Sequence, residues 1–128
     1  MPNPSIVLHY LDFDAAEDDA GNQTWDALAC VDVAHLAPLQ AEICAVLAWA
    51  HRQFPGGCAP LDDGGLWDVD LQCERANQPL QPLHYDAASG RLLPPIALGE
   101  GERATLSLTL CCVPALAADF EAALQPAD

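Results

Sequence analysis

From Trp67 to Glu74 the chain alternates without a break. Trp67, Val69, Leu71 and Cys73 are apolar, and Asp68, Asp70, Gln72 and Glu74 are polar. Successive side chains of a strand point to opposite faces, so the pattern predicts a strand with one face on a core and the other in water. The same alternation runs from Arg103 to Val113, where Leu106, Leu108, Leu110 and Cys112 oppose Thr105, Ser107, Thr109 and Cys111. A third strand is predicted over residues 24–33. Trp25, Ala27, Ala29, Val31 and Val33 make one face, and Thr24, Asp26, Leu28, Cys30 and Asp32 make the other. The apolar run after Ser5 predicts a strand over residues 5–13, pairing antiparallel with residues 24–33 across an acidic, glycine-containing loop from Asp14 to Asn22. Residues 76–82 read as irregular. Leu83 to Leu93 then reads as a short hairpin stopped by Pro94-Pro95.

The period changes from two to 3.6 after the third strand. Leu36, Leu39, Ile43, Val46, Leu47, Ala50 and Phe54 recur at helical spacing, and Pro55-Gly56-Gly57 ends the run. Pro114 suits the first turn of a closing helix whose core side is Leu116, Phe120 and Leu124. The predicted order is β-β-α-β-(short β-hairpin)-β-α. It implies one α+β domain over residues 1–128, an antiparallel sheet of about four main strands with two helices on one face. Leu28-Ala29-Cys30-Val31 before the first helix echoes Leu110-Cys111-Cys112-Val113 before the second, although matches this short arise by chance in an Ala/Leu-rich chain.

Composition narrows the chemistry. Of 128 residues, 19 are acidic and four basic, for a net charge of −15. The basic residues are Arg52, Arg75, Arg91 and Arg103. With no lysine, the chain has no phosphate-gripping P-loop lysine, no Schiff-base lysine and no lysine general base. Such a field repels phosphate, which argues against nucleic acid and anionic membrane surfaces and favours a basic protein partner. The first residues lack the basic, apolar and small-residue order of a signal peptide, and the longest unbroken apolar run, Ile43 to Ala50, is short of a membrane span. A soluble, cytoplasmic chain is therefore expected, with its six cysteines reduced.

No motif fixes a reaction, and no catalytic residue is assigned. The cysteines form no C-x2-C pair, neighbouring Cys111 and Cys112 point to opposite faces, and Cys44 and His51 are roughly 10 Å apart along their helix, so no metal site is expected. Asp12-Phe13-Asp14 opens like a calcium loop, but Ala16 and Glu17 break the EF-hand pattern. Gly99-Glu100-Gly101-Glu102-Arg103-Ala104 has the letters of a dinucleotide loop but precedes a strand and carries glutamates, so no cofactor is expected. Ser5, Ser89 and Ser107 lie outside any nucleophile elbow. Cys58, in the loop after His51, offers a thiolate–imidazole pair only if folding sets the geometry.

Two surfaces remain as candidates for a partner. One is the polar sheet face, with Asp26, Asp32, Asp68, Asp70 and Glu74. The other is the far side of the first helix, which is apolar almost all round. There Ala41, Ala45 and Ala48, with Trp49 as anchor and Arg52 at the rim, would meet a second copy or another protein. The reading is a small acidic, non-enzymatic interaction module, inhibitor- or immunity-like in character or self-associating as a homodimer. The alternative is a small-molecule- or metal-binding protein, or an enzyme, using Asp68 and Asp70 or a cysteine thiol.

Overall fold

The computed structural model describes residues 6–125. Its strands are β1 (Asp14–Glu17), β2 (Gln23–Asp32), β3 (Trp67–Arg75), β4 (Gln81–Asp86), β5 (Arg91–Leu93) and β6 (Arg103–Cys112). Helix α1 (Val33–Gln53) follows β2. A short 3-10 turn, Pro114–Leu116, leads from β6 into α2 (Ala117–Ala123). The six strands form one antiparallel sheet in the order β1-β2-β6-β3-β4-β5. The α+β class and antiparallel sheet expected from the pattern are present, and the short hairpin, as β4 and β5, joins the main strands to make six. The echoing segments occupy related places: β2 and β6 lie side by side in the sheet, and each runs on toward a helix.

The period-two pattern dictates which side is covered. Trp25, Ala27 and Val31 of β2, Trp67, Leu71 and Cys73 of β3, and Ala104, Leu106, Leu108, Leu110 and Cys112 of β6 are all buried. Helix α1 lays Leu36, Leu39, Ile43, Val46, Leu47 and Ala50 on that face. An aromatic cluster locks both helices to it. Phe120 of α2 stacks on Trp25 at 5.4 Å and on Phe54 at 5.7 Å, and meets Trp49 edge to face at 5.2 Å.

Trp49 is the first correction. Expected as an outward anchor, it is 1 % exposed and sits inside that cluster. The reason is spacing: position 49 lies three residues after Val46 and seven after the buried Glu42, on the sheet-facing arc of α1. Among the described residues its indole N–H and that of Trp67 have no hydrogen-bond partner.

The N-terminal segment is the second correction. Residues 6–13 form no strand. Residue 14 onward, read as loop, supplies the edge strand instead. Two local causes decide this. The Asp18 carboxylate accepts the N–H groups of Ala20 and Asn22 and the Asn22 side-chain amide, which closes a tight turn and sets Glu17 opposite Gln23. The amides of His9, Tyr10 and Leu11, which a ladder would need, point into the carboxylate of Glu42 instead. Glu42, on α1, is buried among apolar neighbours. It accepts Tyr10 N–H at 3.0 Å and Leu11 N–H at 2.7 Å, besides that of His9. Consecutive amides converging on one anion form a nest. This one seats Leu8 and Leu11 in the core.

Helix α1 starts at Val33, three residues earlier than the apolar stripe suggests, because Asp32 caps it and accepts the His35 N–H. Among the described residues α1 is the one helix long and apolar enough, at 21 residues and mean hydropathy 1.4, to cross a membrane by length and composition. Here its apolar arc is packed on the sheet.

Candidate functional site

Among the described residues no helix covers the other side of the sheet. Register sets its side chains in rows across β2, β6 and β3: Thr24, Cys111 and Asp68; Asp26, Thr109 and Asp70; Leu28, Ser107 and Gln72; Cys30, Thr105 and Glu74. The central strand therefore presents hydroxyls and one thiol, flanked by carboxylates. Asp14 of β1 stands opposite Asp26 and extends the second row. Adjacent strands are roughly 4.8 Å apart, so Asp26 and Asp70 lie about 10 Å apart at the backbone with Thr109 between them. The Thr109 hydroxyl donates to Asp26 at 2.6 Å, and the Gln72 side-chain amide donates to Asp70 at 2.8 Å. Both carboxylates are exposed. A depression of about 360 Å³ is lined by Asp12, Asp14, Asp26, Leu28, Ser107 and Thr109.

On the β2 side of this face stands Leu28, 67 % exposed, more open than any other large apolar side chain among the described residues. The sequence pattern placed it there, but its place beside Asp12, Asp14 and Asp26 emerges only from the fold. The signal was present: Leu28 is the one aliphatic residue in the polar phase of β2.

The structure sorts the other candidates. Asp26, Asp70 and Glu74 are exposed on this face, and Asp68 is half-buried with its carboxylate turned to its neighbour's amide, Val69 N–H. Asp32 is occupied at the helix cap, where its carboxylate also bonds the His35 ring at 2.7 Å. On α1, Ala41 and Ala45 are exposed, Ala48 is half-buried and Arg52 is exposed near the helix end. Without Trp49 this is a stripe of small side chains. Ala41 and Cys44 also border a groove of about 550 Å³ whose far wall is Arg91, Leu92, Pro95 and Ile96.

Among the described residues no hydrogen bond joins Cys58 and His51. The imidazole is held between Trp67 at 4.9 Å and Tyr85 at 5.7 Å. Burial, and then the charge of Asp68, pushes the Cys58 thiol up. Among the described residues no three of His, Cys, Asp or Glu converge so as to hold a metal ion.

Three carboxylates are held below the usual range, chiefly by one partner each: Asp18 by the Asn22 side chain, Asp32 by the His35 ring and Asp86 by the Ser89 hydroxyl. A depressed carboxylate adds stability that is present above its unfolded pKa and is lost as pH falls through its folded value. The ordinary value is 3.8, so the loss falls below about pH 4. Asp18→Ala should therefore lower the urea midpoint at neutral pH, and its gap to wild type should close at acid pH. Taking the difference between the two proteins removes the shared change as 19 acidic groups neutralise.

The chain is thus an α+β protein with a helix-covered face and an open acidic face. No family model, curated protein or solved structure matches it.

Proposed function

We propose that this chain is a non-enzymatic interaction module that docks a basic protein on the open face of its sheet, in a reducing cytoplasm. The observation that carries this reading is Leu28, 67 % exposed on the β2 side of a face that also carries Asp26, Asp70 and Glu74. An exposed apolar side chain supplies desolvation energy, and carboxylates on the same face supply orientation and speed of encounter. The net charge of −15 acts in the same direction at longer range. A partner with lysines or arginines around an apolar patch fits this surface. Self-association through Ala41 and Ala45 has weaker support, because its aromatic anchor lies inside the core.

Affinity chromatography on the immobilised chain tests the proposal. The retained protein should be basic and should elute as salt rises. The triple variant Asp26→Asn, Asp70→Asn, Glu74→Gln should weaken retention by about tenfold or more at low salt. Retention indifferent to both salt and the triple variant would overturn the reading.

The groove beside Ala41 supports a second reading, a small-molecule-binding protein, because its size falls within the range of ligand sites. Ala41→Trp would fill it. Any ligand found by thermal shift should lose its effect in that variant.

A further inference from the structure

We propose that the groove between α1 and β5 is a binding site for an aliphatic monocarboxylate, with Arg91 holding the carboxylate and the apolar walls holding the chain. The proposal rests on the ligand-binding reading of this groove and names the class of ligand. The sequence on both sides explains the space. Ala41 and Cys44 share one face of α1, and both are small where the helix passes β5. Strand β5 is three residues long and stops at Pro94-Pro95, neither of which can donate a ladder hydrogen bond. Short side chains on the helix and a short strand beside it leave about 550 Å³ between them.

The lining decides the class of ligand. Leu92, Leu93, Pro95 and Ile96 make the far wall, with Ala41 on the near side. Among the described residues none of the lining side chains is aromatic. An aliphatic body fits such walls, whereas a planar ring finds no ring to stack on. Cys44 is half-covered, and burial pushes its thiol up, so at neutral pH it adds a small hydrophobic surface and no charge.

Arg91 is the one charged residue in the lining. Arg75 and Arg103 are tied to the backbone carbonyls of Ala97 and Cys30. Arg91, among the described residues, enters no ion pair. Its register partner across the β4–β5 ladder is Asp86, but that carboxylate accepts the Ser89 hydroxyl at 2.6 Å. The guanidinium therefore keeps a planar fork of donors, which a carboxylate matches with two parallel hydrogen bonds. Gln40 also lines the groove, and its side-chain amide is a further donor. One cation balances one negative charge. A phosphate carries more, and the net charge of −15 opposes each charge added, so a monoanion is favoured.

The test compares octanoate with octan-1-ol and octylamine, which share a chain and differ in head group. Amide chemical shifts of the isotope-labelled full chain follow each titration at neutral pH. Octanoate should shift the amides of Ala41, Leu92 and Ile96 and bind roughly fivefold or more tightly than octan-1-ol. Arg91→Gln should remove most of that preference, and Arg91→Lys should recover part of it. Ala41→Trp should abolish the shifts from octanoate. Both substituted positions are exposed, and the ranking of head groups on the wild-type protein needs no variant. If octan-1-ol or octylamine matches octanoate and Ala41→Trp blocks it, the groove binds ligands but the carboxylate assignment is overturned. An octanoate preference that Arg91→Gln leaves unchanged also overturns it. If no probe shifts the groove amides, or if Ala41→Trp leaves the shifts in place, the ligand-binding reading falls with it.

Discussion

Alanine at position 42 should cost this fold about 3–5 kcal/mol, since it leaves three amides of the N-terminal segment without their acceptor, at roughly 1–3 kcal/mol for each buried donor with some relief from water. Glu42 accepts from His9, Tyr10 and Leu11. Glutamine is the sharper probe. It keeps the volume and one acceptor oxygen but turns an N–H₂ group toward donors, so about 2 kcal/mol should be lost. Chemical denaturation of the wild-type protein and both variants measures this. Hydrogen exchange should show the Tyr10 and Leu11 amides losing protection in Glu42→Gln while those of β6 keep theirs. A Glu42→Gln protein as stable as wild type would mean the nest contributes nothing.

Phe120→Ala is expected to be as severe, about 3–5 kcal/mol, from lost transfer energy plus the cavity left behind. Phe120 is 0 % exposed and touches Trp25, Trp49, Phe54 and Trp67, so one ring joins α2, the end of α1 and the sheet. A domain of this size holds only about 5–15 kcal/mol of stability, so the variant should melt many degrees lower and lose much of its near-ultraviolet tryptophan signal. Phe120→Leu should recover about half, because volume is largely restored while the stacking geometry is not. A Phe120→Ala protein that melts with the wild type would show that α2 is dispensable to the core.

What the chain disclosed in advance follows from the range of each interaction. The strands at Trp67 and Arg103 and the helix through Ile43 were readable because one covered face imposes a period that no local feature opposes. The order in which β6 inserts between β2 and β3 was not readable, because alternation says which side a residue faces and not which strand lies beside it. β1 was hidden for another reason. Asp14–Glu17 has poor strand propensity and is placed by the Asp18 turn, while the more apolar segment before it surrenders its amides to a glutamate more than thirty positions away. Glu42 itself left a trace, as the lone acid within the apolar arc of α1.

The candidate site divides along the same line. Asp26, Asp70 and Glu74 were legible from strand phase alone. Asp14 was lost with its strand. Trp49 was misplaced because a helix apolar on every side does not reveal which arc is inward, and only Phe120, from the far end of the chain, fixes it. The groove between α1 and β5 depends on the approach of distant segments, which local patterning does not mark.

Photo-crosslinking from single positions tests the docking claim most directly. A photoreactive residue at position 28 reports on the sheet face, and one at position 41 on the outer side of α1. If the open sheet face is the docking surface, position 28 captures a basic protein, the product disappears as salt rises or when Asp26 and Asp70 become asparagine, and position 41 captures nothing. Capture from position 41 alone, or of a partner at position 28 that ignores both salt and the asparagine variants, would contradict it.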